Sequence, residues 1–262
     1  MWLSRGNPNI AFYINSSPRK VVINYYLDRY RVHIDTESDV ERRMLSGMYE
    51  KDTTQIIRRL VKRDAICLDI GANVGAITLA LADTVGTGGK VLAFEPGPTF
   101  FSRLERNISE NPDMKNRVVL QNVALSGKSG TIQWQLSDTG STATTSPDGM
   151  SPHSPTIDVT AVRMDDLPLI RELPRLDFIK IDVDGLEFEI LRGGRSVLER
   201  HKPIIYTETN MWNEAMKESA RQLELLLLDL KYQLFRIDAK SLDLIPTSFP
   251  DFSFNTVALP RQ

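Results

Sequence analysis

Cysteine is all but missing from this sequence: among 262 residues only Cys67 is one. A single thiol excludes an internal disulfide and a multi-cysteine zinc site, and it fits a reducing, cytoplasmic setting. No apolar stretch approaches the about 20 residues that a membrane helix needs. The first residues contain Arg5 but no apolar run long enough for a signal peptide, so neither secretion nor a membrane span is expected. An excess of one charge is missing too. With 32 basic and 34 acidic residues the net charge is −2, so no general field draws a phosphate backbone and no nucleic-acid partner is expected. The local basic cluster of Arg58, Arg59, Lys62 and Arg63 alternates with Ile56, Ile57, Leu60 and Val61, which reads as the solvated face of a helix.

What is present is ordinary globular material, 41% hydrophobic and 25% charged, in a length that suits one α/β domain with a modest extension. Residues 1–48 read as an N-terminal appendage and 49–262 as the main domain. Residues 21–35, rich in Val, Ile and Tyr and broken at Asp28-Arg29, predict two short strands around a turn. A helical region then reaches Lys62, with Asp52, Thr53 and Thr54 as candidate capping residues. From there β-rich runs at 66–70, 91–94, 118–123, 178–181 and 204–207 alternate with helical spacing at 74–82, 99–109, 186–200 and 214–230. Such alternation predicts a repeated βα plan and a largely parallel sheet with helices on both faces. Runs at 131–136 and 156–162 interrupt it as an extra strand pair, and further strands fall near 232–237 and 254–259. Between the extra pair, residues 137–155 are rich in Ser, Thr, Gly and Pro, as in a mobile lid or substrate loop.

The most informative segment is Asp69-Ile70-Gly71-Ala72-Asn73-Val74-Gly75, where a buried strand gives way to a helix. Ligands of open α/β sheets collect beyond such strand ends, and glycine lets backbone approach them. A dinucleotide fingerprint would need glycine at 71, 73 and 76, but Asn73 and Ala76 stand at two of those places. Asp69 adds an acid that repels a diphosphate and attracts an ammonium such as the α-amino group of a methionine moiety. Glu95, with Pro96 after it, ends the next strand and offers two acceptor oxygens to ribose hydroxyls. At the third strand end Asn122 and Val123 could meet an adenine ring, although a plain turn residue explains Asn122 as well.

These residues resemble the FkbM family of methyltransferases through DIGANVG at 69–75, FEP at 94–96, NVALS at 122–126 and DFIKIDVDGLEFEILRGG at 177–194. The resemblance implies a class I, Rossmann-like methyltransferase with a seven-stranded sheet. It also implies S-adenosylmethionine as donor, S-adenosylhomocysteine as product and O-methylation of a sugar, glycoside or natural-product hydroxyl. One position departs from the pattern, since Asp184 stands where the family usually has Glu.

Methyl transfer to a hydroxyl asks the protein to align donor and acceptor and to remove a proton. Asp182, at the fourth strand end, is the expected catalytic carboxylate, with Asp184 and Glu187 close by, and His153 in the polar loop is a second candidate base. Asp182 could instead bond only to the turn after it, and together with Glu208 and Asn210 it could also hold Mg²⁺. A small-molecule or carbohydrate acceptor is the expected partner. Two other classes share these features: an NAD-binding oxidoreductase, which must tolerate Asn73 and Ala76, and a non-catalytic domain that keeps the cofactor pocket.

Overall fold

A computed structural model describes residues 12–14, 20–45, 49–136, 155–209, 211, 213–238, 240–248 and 255–261. The chain begins with β1 (Phe12–Ile14), β2 (Lys20–Tyr26) and β3 (Tyr30–Asp35), an antiparallel sheet in the order β1-β2-β3. The two expected strands and their turn at Asp28-Arg29 are β2 and β3. This sheet does not stand apart from the rest of the chain. Val21, Ile23, Val32 and Ile34 bury their side chains in the same hydrophobic cluster as Leu79, Leu81, Leu104 and Ile108 of the main body. Asn107 and Asn111 fasten it further, accepting from the amides of His33 and Arg31 at 2.8 and 2.9 Å.

Next in the chain are two short helices, α1 (Asp39–Leu45) and α2 (Lys51–Leu60). The expected capping residues Asp52, Thr53 and Thr54 lie inside α2. Its N-cap is Glu50, in a left-handed conformation at φ 51° and without a side-chain cap. Ile56 and Ile57 are buried, while Arg58 and Arg59 face outward to Asp83 and Asp243, so the basic cluster is indeed a solvated face.

The main sheet is built by β4 (Ile66–Ile70), β5 (Lys90–Phe94), β6 (Val118–Gln121), β10 (Phe178–Ile181), β11 (Ile204–Glu208), β12 (Tyr232–Ile237), β13 (Leu244–Pro246) and β14 (Asn255–Pro260), in the order β13-β12-β14-β11-β10-β4-β5-β6. It holds eight strands rather than the expected seven, the addition being the three-residue edge strand β13. The five strands from β6 to β11 are parallel, and β14 enters antiparallel. Parallel strands covered on both faces read as continuous apolar runs, which is why Ile66–Ile70 and Phe178–Ile181 stand out in the sequence. Strand order reverses between β4 and β10, a switch point that leaves a crevice at their carboxyl ends.

Helices α3 (Ala76–Val85) and α4 (Pro98–Ser109) connect β4, β5 and β6. Nearly every α3 side chain is buried, because the helix packs on β4 and β5 of the main sheet and against α2. The extra strand pair is β8 (Gly130–Gln135) with β9 (Thr156–Val162), joined by the two-residue β7 (Ala124–Leu125) into a small third sheet. After α5 (Pro168–Arg171) and β10 comes the segment expected as one helix, which is two: α6 (Glu187–Arg192) and α7 (Arg195–His201). The break falls at Gly193-Gly194, where a Cβ would lie 2.3 Å from the Ser126 carbonyl and 2.0 Å from Met164. Close packing there requires glycine, and glycine weakens the helix. Helix α8 (Glu214–Asp229) completes the layer. Among the described residues no helix is long and apolar enough to cross a membrane.

Candidate active site

A cavity of about 620 Å³ opens at the carboxyl ends of β4, β5, β10 and β11. Its floor is the turn after β4. There the amides of Gly71 and Ala72 both donate to the Phe94 carbonyl, at 3.1 and 3.0 Å, which ties the turn to the end of β5. Gly71 adopts φ 78°, and a Cβ on it would meet the Asp182 carbonyl at 2.1 Å. This glycine is therefore demanded by the neighbouring strand end as well as by its own backbone. Asn73 takes the left-handed region at φ 49°, its Oδ1 accepting from the Val74 amide at 2.8 Å. Gly75 caps α3 at φ 94° behind the cavity wall, close against Leu104, so its place is structural.

Glu95 lines the cavity beside this turn. Its two oxygens accept from the Asn73 amide at 2.9 Å and the Gly97 amide at 2.8 Å. Burial raises its pKa to about 7 even though those amides and Lys180 favour the charged form. Pro96 and Val123 also line the cavity, and Phe100, Trp134 and Leu186 add apolar wall. Asn122 does not face it. Its amide nitrogen donates to the carbonyls of Glu95 and Pro96, at 2.8 and 3.1 Å, so the turn role displaces the expected contact with adenine.

The acidic part of the cavity departs most from expectation. Asp69 lies behind the turn, fully buried, accepting from Thr78 Oγ1 at 2.6 Å and 3.6 Å from Lys180 Nζ. It belongs to the core and does not line the cavity, so the expected contact with an ammonium ligand is corrected. Lys180 holds the arrangement together. From the middle of β10 it donates to the Gly71 carbonyl at 3.1 Å and sits 3.6 Å from Asp182 Oδ2. Burial pulls its pKa down, but Asp182, Asp69, Glu50 and Glu208 outweigh burial and hold the ammonium charged.

Asp182, Asp184, Glu208 and Glu50 line the cavity around that lysine. Burial, with Asp182 and Glu50 adding repulsion, raises Glu208 to about 8. Glu187 does lie near Asp182, but it turns inward and accepts from the amides of Val183 and Gly185, both at 3.2 Å. It closes the turn in which Asp184 sits at φ 49°. Residues 137–154 of the polar loop lie outside the described residues, and so do His153 and Asn210. Among the described residues no group of three His, Cys, Asp or Glu side chains is arranged to hold a metal ion.

Lys180, Glu50, Arg43, Trp134 and Phe100 are among the cavity residues that sequence reasoning missed. For Lys180 a signal existed, since a lysine inside an otherwise apolar parallel strand is buried and must be paired. Glu50 left none, lying in a polar stretch between two helices.

The donor set fits S-adenosylmethionine: Glu95 would offer a carboxylate to a ribose diol, Val123, Phe100 and Trp134 would form an apolar slot for adenine, and the carboxylates around Lys180 would complement positive charge. Fold and cavity together are those of a class I methyltransferase. A family model described as the methyltransferase FkbM domain matches residues 69–234, and the chain belongs to that family. It is an S-adenosylmethionine-dependent methyltransferase. Hexuronic acid methyltransferase AglP of Haloferax volcanii is 28% identical over 185 residues, covering 70% of this chain and 71% of that protein. The 2-O-methyltransferase NoeI of Sinorhizobium fredii is 28% identical over 168 residues, covering 59% of this chain and 67% of that protein. A crystal structure of an FkbM methyltransferase from Methylobacillus flagellatus aligns at 16% identity with a TM-score of 0.49. That alignment covers 84% of this chain, which spans about half, 52%, of the length of the other.

Proposed function

We propose that the chain methylates a hydroxyl of a small polyhydroxylated acceptor, a sugar, glycoside or natural product, and that Glu208 and Asp182 orient the hydroxyl and take its proton. The observation that carries this reading is a pair of carboxylates from neighbouring strand ends facing one cavity, one beside a lysine and the other held near neutrality. The names of AglP and NoeI, a hexuronic acid methyltransferase and a 2-O-methyltransferase, support a sugar hydroxyl.

When bound, S-adenosylmethionine supplies a methyl group on positively charged sulfur, open to in-line attack by oxygen. The chain's own part is to hold the hydroxyl in line and receive its proton. Asp182 lies 3.6 Å from the Lys180 ammonium and presents its carboxylate to the cavity. Glu208 forms no ion pair among the described residues, and its proton affinity is matched to a base working near neutral pH. Glu95, Pro96 and Val123 would hold the nucleoside, with Gly71 and Asn73 shaping the floor.

The test is a methyl-transfer screen of the purified protein against sugars, glycosides and polyketide-like alcohols, followed over pH. A base that must be ionised makes the rate rise with pH and level off above about 8. Glu208→Gln should remove that rise and cut kcat by about 10²- to 10⁴-fold. Wild-type kcat in this variant would remove Glu208 from the chemistry. Lys180 already supplies positive charge beside Asp182, so activity is expected to survive a chelator, whereas loss restored by Mg²⁺ would reinstate the metal. Cofactor binding without turnover of any acceptor would favour a non-catalytic domain.

A further inference from the structure

Each carboxylate around Lys180 has a defined partner or a defined lack of one. Asp69 and Asp182 flank the lysine at 3.6 Å each and together exceed its charge by one. Glu50 is different. It lines the cavity, yet among the described residues it forms no ion pair, and its one side-chain hydrogen bond comes from the Thr53 hydroxyl. That hydroxyl also lies 2.7 Å from the Tyr206 hydroxyl of β11, which fixes the glutamate to the sheet. Burial raises its pKa while the Thr53 bond and Lys180 pull the other way, as befits a carboxylate in a partly dry site that can take up a further cation.

The side chain of Glu50 is also not used as a helix cap. Glu50 stands at the N-cap of α2 in the left-handed region, at φ 51° and ψ 30°, where Ser, Thr, Asn or Asp would cap the helix and glycine would relieve the backbone. Glu50 does neither. Its side chain makes no cap bond and is directed to the cavity instead. Glu50 also lies outside residues 69–234, so the segment before the family-matched region closes the cavity.

Resting on the methyltransferase reading of this cavity, we infer that Glu50 binds the α-ammonium group of the methyl donor, the role expected of Asp69 from sequence and left open by its burial. The ligand chemistry is that of an α-amino acid tail on a nucleoside: an ammonium to Glu50, separate from the diol that Glu95 would take. Glu208, on the strand end beside Asp182, remains with the acceptor.

The experiment compares two ligands by calorimetry on the full chain. S-adenosylhomocysteine carries the amino acid tail, and 5′-methylthioadenosine is the same nucleoside thioether without it. Glu50→Gln keeps the shape and the bond from Thr53 but removes the charge. It is expected to weaken S-adenosylhomocysteine by about 10- to 100-fold, the range of one charge-assisted hydrogen bond, and to change methylthioadenosine by less than about twofold. Equal weakening of both ligands would make Glu50 structural, and no weakening of either would remove it from the site; both overturn the inference. If the Gln variant does not fold, Glu50→Asp repeats the comparison with the charge withdrawn by one methylene. A selective loss of about 3- to 10-fold is then expected, and none would overturn the proposal. Failure of the wild-type protein to bind either ligand would sink the methyltransferase reading of the cavity itself, a result distinct from all of these.

Discussion

The turn after β4 and the carboxylates around Lys180 share one cavity, yet the first is made of backbone and the second of charge. The turn is local. Gly71 to Gly75 take their shape from three left-handed residues and from two amides bonded to the end of β5. The acidic end is gathered from Glu50, Lys180, Asp182 and Glu208, on three separate stretches of chain, and nothing but folding brings them together. Backbone geometry tolerates a change of pH, whereas buried charge does not. The turn is therefore suited to holding a donor that never varies, and Asp182 and Glu208 at the charged end to a step in which a proton moves.

The sharpest way to break this contrast is to remove the lysine that these acids share. Lys180→Met leaves Asp69 and Asp182 without their ammonium, Asp69 fully buried. Removing one partner of a buried ion pair costs about 3 to 5 kcal/mol. Urea denaturation should show a loss of that size, partly restored when Asp69→Asn is added. A loss below about 1 kcal/mol would mean that the cluster is screened like a surface pair and that the charged end is no more demanding than the turn.

Glu95 links the two regions, being a charge that is fastened by backbone. If it grips the ribose hydroxyls, Glu95→Ala should weaken S-adenosylhomocysteine by about 2 to 4 kcal/mol. The structure adds a second cost, because the amides of Asn73 and Gly97 lose their acceptor and the turn itself loosens. Calorimetry and thermal unfolding together separate the two, and unchanged affinity in a folded variant would take Glu95 out of the site. The same residue sets a pH dependence of stability. Its folded pKa of about 7 lies above its value of 4.5 in the unfolded chain, so its stabilising contribution is full below about 4.5 and is lost as pH rises through about 7.

The fold and the turn were legible in the sequence because both are local. Alternation of β-rich runs with helical spacing needs no tertiary knowledge, and DIGANVG marks its own turn. Two errors in reading the fold came from packing between distant elements. The expected helix over 186–200 is broken because Gly193 and Gly194 must admit Ser126 and Met164, and the edge strand β13 has three residues and a proline, too few for an alternating pattern. In the site, Asp69 was expected to face a ligand because its position in the motif was visible and its partner was not. Lys180 lies more than 100 residues away, and only the register that pairs it with Asp69 across β4 and β10 shows that the acid points into the core.

The smallest expected effect tests how far the donor half depends on backbone alone. Asn122 comes directly after β6 and donates to the carbonyls of Glu95 and Pro96, which otherwise would have to find water at a half-open strand end. The side chain is exposed and does not line the cavity, so its two bonds are neutral, partly solvated and modest in net value. Asn122→Ala should therefore cost about 0.5 to 1.5 kcal/mol of stability by urea denaturation. S-adenosylhomocysteine affinity should fall by no more than about twofold, since the ligand would sense only a looser β5 exit. Asn122→Asp sharpens the point, because it keeps the size but replaces the donor by an acceptor facing two carbonyls, and should be the more destabilising of the two. The opposite pattern, intact stability with a loss of cofactor affinity of tenfold or more, would put the amide back against adenine. The donor half would then read its ligand through a side chain after all.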